Sequence, residues 1–252
     1  MSSFFYNYRE LCYKICWQIQ GVITPSLRYS QYLYEDILRS HVSSDVKWLD
    51  LGCGHQLFPS WRSEEEKNLI RKCNMIVGID YDLSSLKNHK NILHKIKGDI
   101  TKLPFRKDSF HLLTSNMVIE HVGDPNVLFQ EARRILKPGG IFILHTPNAF
   151  GYTTMVARCI PRVLRNKLIY FFQGRKDEDV FATYYKLNTR CKIISLAEAK
   201  GWEILKIKMI VSSPQLVIIP PLALIELIWI RILMTRALKN LRTNIIVILK
   251  KN

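Results

Sequence analysis

The segment Trp48-Leu49-Asp50-Leu51-Gly52-Cys53-Gly54 restricts the folds open to this chain more than any other feature. Residues 46–51 form a short apolar run carrying one acid, and Gly52 and Gly54 close it. A strand that ends in Gly-x-Gly and feeds a helix cradles a nucleotide, because glycine admits a ligand where a Cβ would collide. A pyrophosphate-binding loop normally adds a third glycine and a helix N-terminus facing the phosphate. Here His55-Gln56-Leu57 follow, with no Gly-Lys-Ser/Thr, which counts against a dinucleotide or a triphosphate. Asp50, so near the loop, would repel phosphate and attract the ammonium group of an aminoacyl ligand.

The pattern around this segment alternates. It predicts a helix over 63–73, a strand over 75–79 closed by Asp80, a strand over 93–97 and a strand over 110–115. Asp124-Pro125 opens a helix reaching Leu136, stopped by Lys137-Pro138-Gly139-Gly140, and a fifth strand follows over 141–146. A helix over 189–200 and strands over 202–211 and 244–249 complete the series. Strands alternating with helices at this spacing imply a parallel sheet covered on both faces. Ahead of it, Leu11, Ile15, Ile19 and Val22 recur at helical spacing until Pro25, and Tyr29, Tyr32, Leu33 and Ile37 mark a second set. These place a helical cap over 1–45 and the main domain over 46–252.

Two further acids sit where strands end. Asp80, followed by Tyr81, lies at the tip of the second strand, where a carboxylate accepts hydrogen bonds from both ribose hydroxyls. Asp99, in Gly98-Asp99-Ile100, follows the third strand, where an acid can accept the exocyclic amine of adenine. A ligand with adenine, ribose and an amino-acid tail, but no phosphate, is S-adenosylmethionine.

On these motifs the chain resembles the class I S-adenosylmethionine-dependent methyltransferases of type 11. The resemblance runs over about 46–148. It is carried by Leu49-Asp50-Leu51-Gly52-Cys53-Gly54, Gly78-Ile79-Asp80, Gly98-Asp99-Ile100, Leu103-Pro104-Phe105, Asp108-Ser109-Phe110, Glu120-His121-Val122 and the run from Glu131 through Arg134-Ile135-Leu136-Lys137-Pro138-Gly139-Gly140. It implies a Rossmann-like, doubly wound, seven-stranded and mostly parallel α/β sheet with helices on both faces and the last strand antiparallel. It also implies that Asp50, Leu51, Gly52, Cys53 and Gly54 line the methionine end of the cofactor. Asp80 and Tyr81 would serve the ribose and Asp99 and Ile100 the adenine, with Asn116 and Met117 closing the site. His55 stands where the family carries a small residue.

A sulfonium methyl is already activated, so such a protein must supply in-line approach, exclusion of water and, for some acceptors, a base. The candidates for a base are His121, His145, Tyr184 and Tyr185, with His121 favoured by its place in Glu120-His121 and the tyrosines also placed against the substrate. A substrate cap over 151–188 would carry Tyr184 and Tyr185. The six cysteines are scattered, with no metal-ligand spacing, so no metal is expected; Cys12 and Cys16 read as packed thiols. No secretory leader is legible at the start, which suits a cytoplasmic protein.

The formal net charge of +16 calls for an anionic partner. Nucleic acid is one; no Asn/Asp-Pro-Pro-aromatic motif supports it. An acidic membrane surface and a phosphorylated substrate are the others, and the basic residues of 158–176 suit both. By resemblance, 214–242 is an insertion between the last two strands. No charge occurs from Met209 to Ile225, and a helix is expected after Pro221 with Arg231, Lys239 and Arg242 within about 80° on a helical wheel and Arg236 beside them. An apolar wedge with a basic face fits a helix lying in a bilayer surface; a dimer interface and an active-site lid fit it as well. The acceptor expected is a small or lipid-linked molecule. A catalytically silent scaffold or cofactor sensor is the non-enzyme alternative, opposed by the intact acids and glycines.

Overall fold

The computed structural model describes residues 3–160 and 182–252, so most of the basic stretch 158–176 and much of the 151–188 segment lie outside the described residues. The chain forms two compact units, one of 31–147, 183–208 and 245–252, the other of 1–30, 148–182 and 209–244.

The first unit holds a sheet whose strands are β1 (Lys47–Leu51), β2 (Met75–Asp80), β3 (His94–Lys97), β4 (Phe110–Asn116), β5 (Leu136–Pro147), β6 (Trp202–Ile210) and β7 (Asn244–Lys251). Their order is β3-β2-β1-β4-β5-β7-β6, seven strands with the last antiparallel, the arrangement expected from the sequence. β1 pairs in parallel with β2 and β4, β2 with β3, and β4 with β5. The order reverses on the two sides of β1, and the cleft beyond the carboxyl ends of strands at such a switch point is where open α/β sheets take ligands.

Burial follows from composition. Trp48, Leu49, Leu51, Ile79, Leu112 and Leu113 are sealed on the central strands. Phe129 of the helix Pro125–Ile135 meets Phe142 and Trp202 in T-shaped ring contacts, and those two rings lie tilted against each other. That helix begins on Asp124, whose carboxylate caps the Asn126 and Val127 N–H groups, with Pro125 in the first turn. It ends at Ile135, and the chain enters β5 at once. Lys137-Pro138-Gly139-Gly140 is therefore the start of an irregular strand, looped between the Phe110–Leu136 and Leu112–Ile141 pairs with Gly139 at φ +77°.

In the second unit the helices Ser3–Ile23 (α1) and Pro220–Leu233 (here αC) pack Cys12, Cys16, Ile19 and Ile23 with Val217, Ala223 and Leu227. Burial raises the Cys16 thiol pKa, which keeps it an uncharged packing group. Glu226, on the inner face of αC, accepts hydrogen bonds from the Gln215 and Leu216 N–H groups and from the Tyr152 hydroxyl, at 2.7–2.9 Å.

αC corrects one expectation. It ends at Leu233, so Arg236, Lys239 and Arg242 do not share its face, and the helical-wheel alignment of Arg231, Lys239 and Arg242 fails. The physical reason is Arg242 itself. Its guanidinium reaches back to donate to the Leu233, Met234 and Thr235 carbonyls and to Met209 O, and so closes the helix end. Among the described residues no helix is long and apolar enough to cross a membrane.

Candidate functional site

Register brings the predicted acids and glycines to one edge. Asp50 lies opposite Gly78 and Thr114, Leu51 opposite Ile79, and Asp80 opposite Lys97, so the loops after β1, β2, β3 and β4 leave the sheet on the same side.

The first loop needs its glycines for two different reasons. Gly52 sits at φ +71°, and a Cβ there would lie 2.8 Å from Val118 Cγ1 and nearer still to Cγ2. Gly54, at φ +54°, faces open space, with nothing within 4 Å of where a Cβ would be. Between them Cys53 turns inward, where burial raises its thiol pKa, and it fills the room left by Gly78. The loop's continuation is anchored by Glu66, whose carboxylate accepts from the Leu57 and Phe58 N–H groups at 3.0 and 2.9 Å.

Asp80 ties the first two loops together. One carboxylate oxygen accepts from Gly54 N and the other from Asp82 N, both at 2.8 Å. Asp82 in turn caps the helix Leu83–Asn88 through the Ser84 and Ser85 N–H groups. Each Asp80 oxygen keeps a second lone pair for a ligand hydroxyl. Tyr81 beside it is exposed.

Asp50 is buried and accepts a hydrogen bond from the Thr114 hydroxyl, which itself accepts from Trp48 Nε1 at 2.6 Å. Burial pushes its carboxyl pKa up to about 7, against the pull of Thr114, with Glu66 and Asp80 adding to the rise. On a chain of net charge +16 this edge is locally acidic, suited to a cationic group.

Asp99 accepts from the N–H and the hydroxyl of Thr101, both at 2.8 Å, in a turn that presents Ile100. Asn116 ends β4, and Met117 follows at φ +58°. Gln31, Asn116 and His145 form a chain: Asn116 Nδ2 donates to Gln31 Oε1, and Asn116 Oδ1 lies 2.8 Å from His145 Nδ1. With Oδ1 as acceptor, His145 donates from Nδ1. Burial holds its pKa down to about 3, and its ring stacks on Tyr34. His145 is thus a neutral support for Asn116, a poor choice among the base candidates.

His121, half-buried, closes the short 3₁₀ turn Ile119–His121. The Glu120 carbonyl just before it accepts from both the Tyr184 and Tyr185 N–H groups, at 2.7 and 3.2 Å, with Tyr185 at φ +50°. The structure therefore ties the backbone of Tyr184 and Tyr185 to Glu120, the neighbour of His121 in the chain. The Glu120 carboxylate accepts from Thr146 Oγ1, to which Asn188 also donates.

Several supports were absent from the sequence reading: Thr114 beneath Asp50, Val118 beneath Gly52, Glu66, and Gln31. The acid, Gly-x-Gly and Asn116-Met117 signals lie within short segments. These partners lie 8 to 85 positions from the groups they hold, and no local pattern marks them. A cleft of about 570 Å³ lined by Lys107, Arg133, Lys200 and Lys251 lies at the opposite, amino-terminal edge of β4 and β5 and takes no part in this arrangement.

Comparison with known proteins agrees with the geometry. A methyltransferase-domain family model matches residues 49–144. A demethylmenaquinone methyltransferase of Staphylococcus haemolyticus is 29% identical over 119 residues, covering 42% of this chain and 48% of that protein. A malonyl-[acyl-carrier protein] O-methyltransferase of Hahella chejuensis is 32% identical over 105 residues, 39% of this chain and 35% of that protein. The matches thus span half or less of these relatives' length. An S-adenosylmethionine-dependent methyltransferase structure from Methanosarcina mazei superposes with a TM-score of 0.56 at 18% identity, over 85% of this chain and 96% of that one, a likeness of fold. Motifs, strand order and family match converge on one stretch: residues 49–144 match a methyltransferase domain, set in the seven-stranded sheet of S-adenosylmethionine-dependent methyltransferase structures.

Proposed function

We propose that the chain transfers the methyl group of S-adenosylmethionine to a small or lipid-linked acceptor, working at a membrane surface on the cytoplasmic side. The observation that carries this reading is the pairing of Asp80 with Gly54. An acid at the tip of β2 holds the first loop by its N–H, beside a glycine that faces open space. That arrangement leaves room for a ligand backbone and offers a carboxylate to a ribose. In this reading Asp50, Leu51, Gly52, Cys53 and Gly54 hold the aminoacyl end, and the raised Asp50 carboxyl becomes ionised once an ammonium group shares its pocket. Asp80 and Tyr81 take the ribose, Asp99 and Ile100 the adenine, and Asn116 and Met117 the far wall. The cofactor supplies an activated methyl group on its sulfonium. In this reading His121 accepts a proton from the acceptor, and Tyr184 and Tyr185 help to exclude water. Relatives that methylate a demethylmenaquinone or a malonyl-acyl carrier are in keeping with a small or carrier-bound acceptor.

Calorimetric titration with S-adenosylmethionine tests this. Wild type should bind, and Asp80→Ala should weaken binding about 100-fold, the scale of losing two hydrogen bonds to a charged group. Asp80→Asn keeps one acceptor oxygen and should fall between. A folded wild type that does not bind refutes the proposal.

A further inference from the structure

αC is apolar all round, yet half of it faces outward. Its inner arc, Ala223, Leu227, Ile230 and Leu233 with the hydrogen-bonded Glu226, is buried in its own unit. Its outer arc carries Leu222, Leu224, Ile225, Ile228, Trp229 and Ile232, all exposed, Ile225 at 63% and Ile228 at 48%. At 100° per residue these six side chains sweep about 160°, with no charged residue between them. A helix facing water places polar residues there, and one apolar on every side is ordinarily buried. An apolar outer face of this size calls for a non-aqueous partner.

The charges around it say which. Over 209–244 the acids are represented by Glu226 alone, buried and engaged, whereas Arg231, Arg236 and Lys239 are exposed at and just beyond the helix end. Trp229 lies on the flank of the apolar arc, as amphipathic aromatics do at a headgroup boundary. A two-fold contact with a second copy would present the same cationic rim to itself, which is unfavourable. At about 21 Å, αC is too short to cross a hydrocarbon core of about 30 Å, so it would lie along the surface.

We infer that the outer face of αC, from Leu222 to Ile232, inserts into the headgroup boundary of an anionic lipid membrane, with Arg231, Arg236 and Lys239 on the lipid phosphates. This rests on the proposed function only for the whereabouts of the acceptor; the surface itself belongs to the unit without the cofactor loops. It also replaces the expected basic helix face with a different geometry: an apolar helix and a basic exit.

Vesicle flotation of the full chain decides it, with phosphatidylcholine vesicles and with vesicles containing one-third phosphatidylglycerol. Wild type should float with the anionic vesicles and far less with the neutral ones. Ile225→Asp with Ile228→Asp should reduce partitioning about 100-fold, since two large apolar side chains are lost. Arg236→Glu with Lys239→Glu should reduce it about tenfold at low salt. All these positions are exposed, so circular dichroism and S-adenosylmethionine binding should match wild type, which separates a failure here from a failure of the methyltransferase reading. Wild type that does not float, flotation indifferent to phosphatidylglycerol, or flotation that survives both substitution pairs overturns the inference. A wild-type dimer that Ile225→Asp with Ile228→Asp dissociates, without flotation, assigns the face to a second copy and overturns it too.

Discussion

Two buried carboxylates, Asp50 of the sheet unit and Glu226 of the other, are treated in opposite ways. Glu226 in the α1 and αC unit accepts from two backbone N–H groups and a tyrosine hydroxyl. Asp50 in the sheet unit accepts a side-chain hydrogen bond from Thr114, with Asp80 and Glu66 close enough to oppose its charge. A buried acid surrounded by donors fastens a fold. A buried acid left short of them and flanked by like charges costs stability, and such a cost is concentrated at sites that meet a ligand. The contrast fits the proposed place of Asp50 in a binding site, and it makes Glu226 a clasp holding αC to the loop before it.

The largest effect should come from removing the Asp50 charge. With a folded pKa of about 7 against an ordinary 3.8, the folded chain binds more protons than the unfolded one between those values. The stability of the wild type should therefore fall as pH rises from about 4 to about 7 and stay low above that. The Asp50 share of this fall is about 4 kcal/mol. Asp50→Asn should flatten that window in urea unfolding and leave the variant more stable than wild type at pH 8, while weakening S-adenosylmethionine binding. A variant less stable than wild type at pH 8 would put Asp50 in the same class as Glu226.

Glu226→Ala should act the other way. It strands the Gln215 and Leu216 N–H groups and the Tyr152 hydroxyl, at a cost of about 3 kcal/mol in urea unfolding. Hydrogen exchange at Gln215 and Leu216 should accelerate, and cofactor affinity should stay unchanged. Loss of affinity together with stability would erase the distinction between the two carboxylates.

The two units also differ in how far they could be read beforehand. Around the sheet the telling residue types stand at strand ends, within short segments: an acid before Gly-x-Gly, an acid closing β2, an acid after β3. The strand boundaries expected there agree with the structure to within about two residues, apart from β5, which begins at Leu136 instead of 141. What escaped was whatever register supplies, such as Thr114 opposite Asp50 and Val118 under Gly52. In the other unit the apolar helix was legible from composition, but its end was not. No glycine or proline marks Leu233, and the residue that closes the helix, Arg242, stands nine positions on.

The finest test lies within the first loop, where Gly52 and Gly54 share a left-handed backbone but not an environment. Alanine at either position carries the left-handed penalty of about 1–2 kcal/mol. At Gly52 the new methyl also collides with Val118, a short branched side chain with little freedom to yield, adding about 1–3 kcal/mol. At Gly54 the methyl enters empty space, so stability should fall by the backbone penalty alone. Cofactor affinity should move differently: Gly54→Ala fills the room reserved for the ligand and should lose affinity out of proportion to its modest destabilisation. Thermal unfolding with and without S-adenosylmethionine reads both quantities at once. If Gly54→Ala keeps the full ligand-induced rise in Tm, the open space before it is not where the cofactor lies, and the site must be sought further along the edge, towards Asp99 and Asn116.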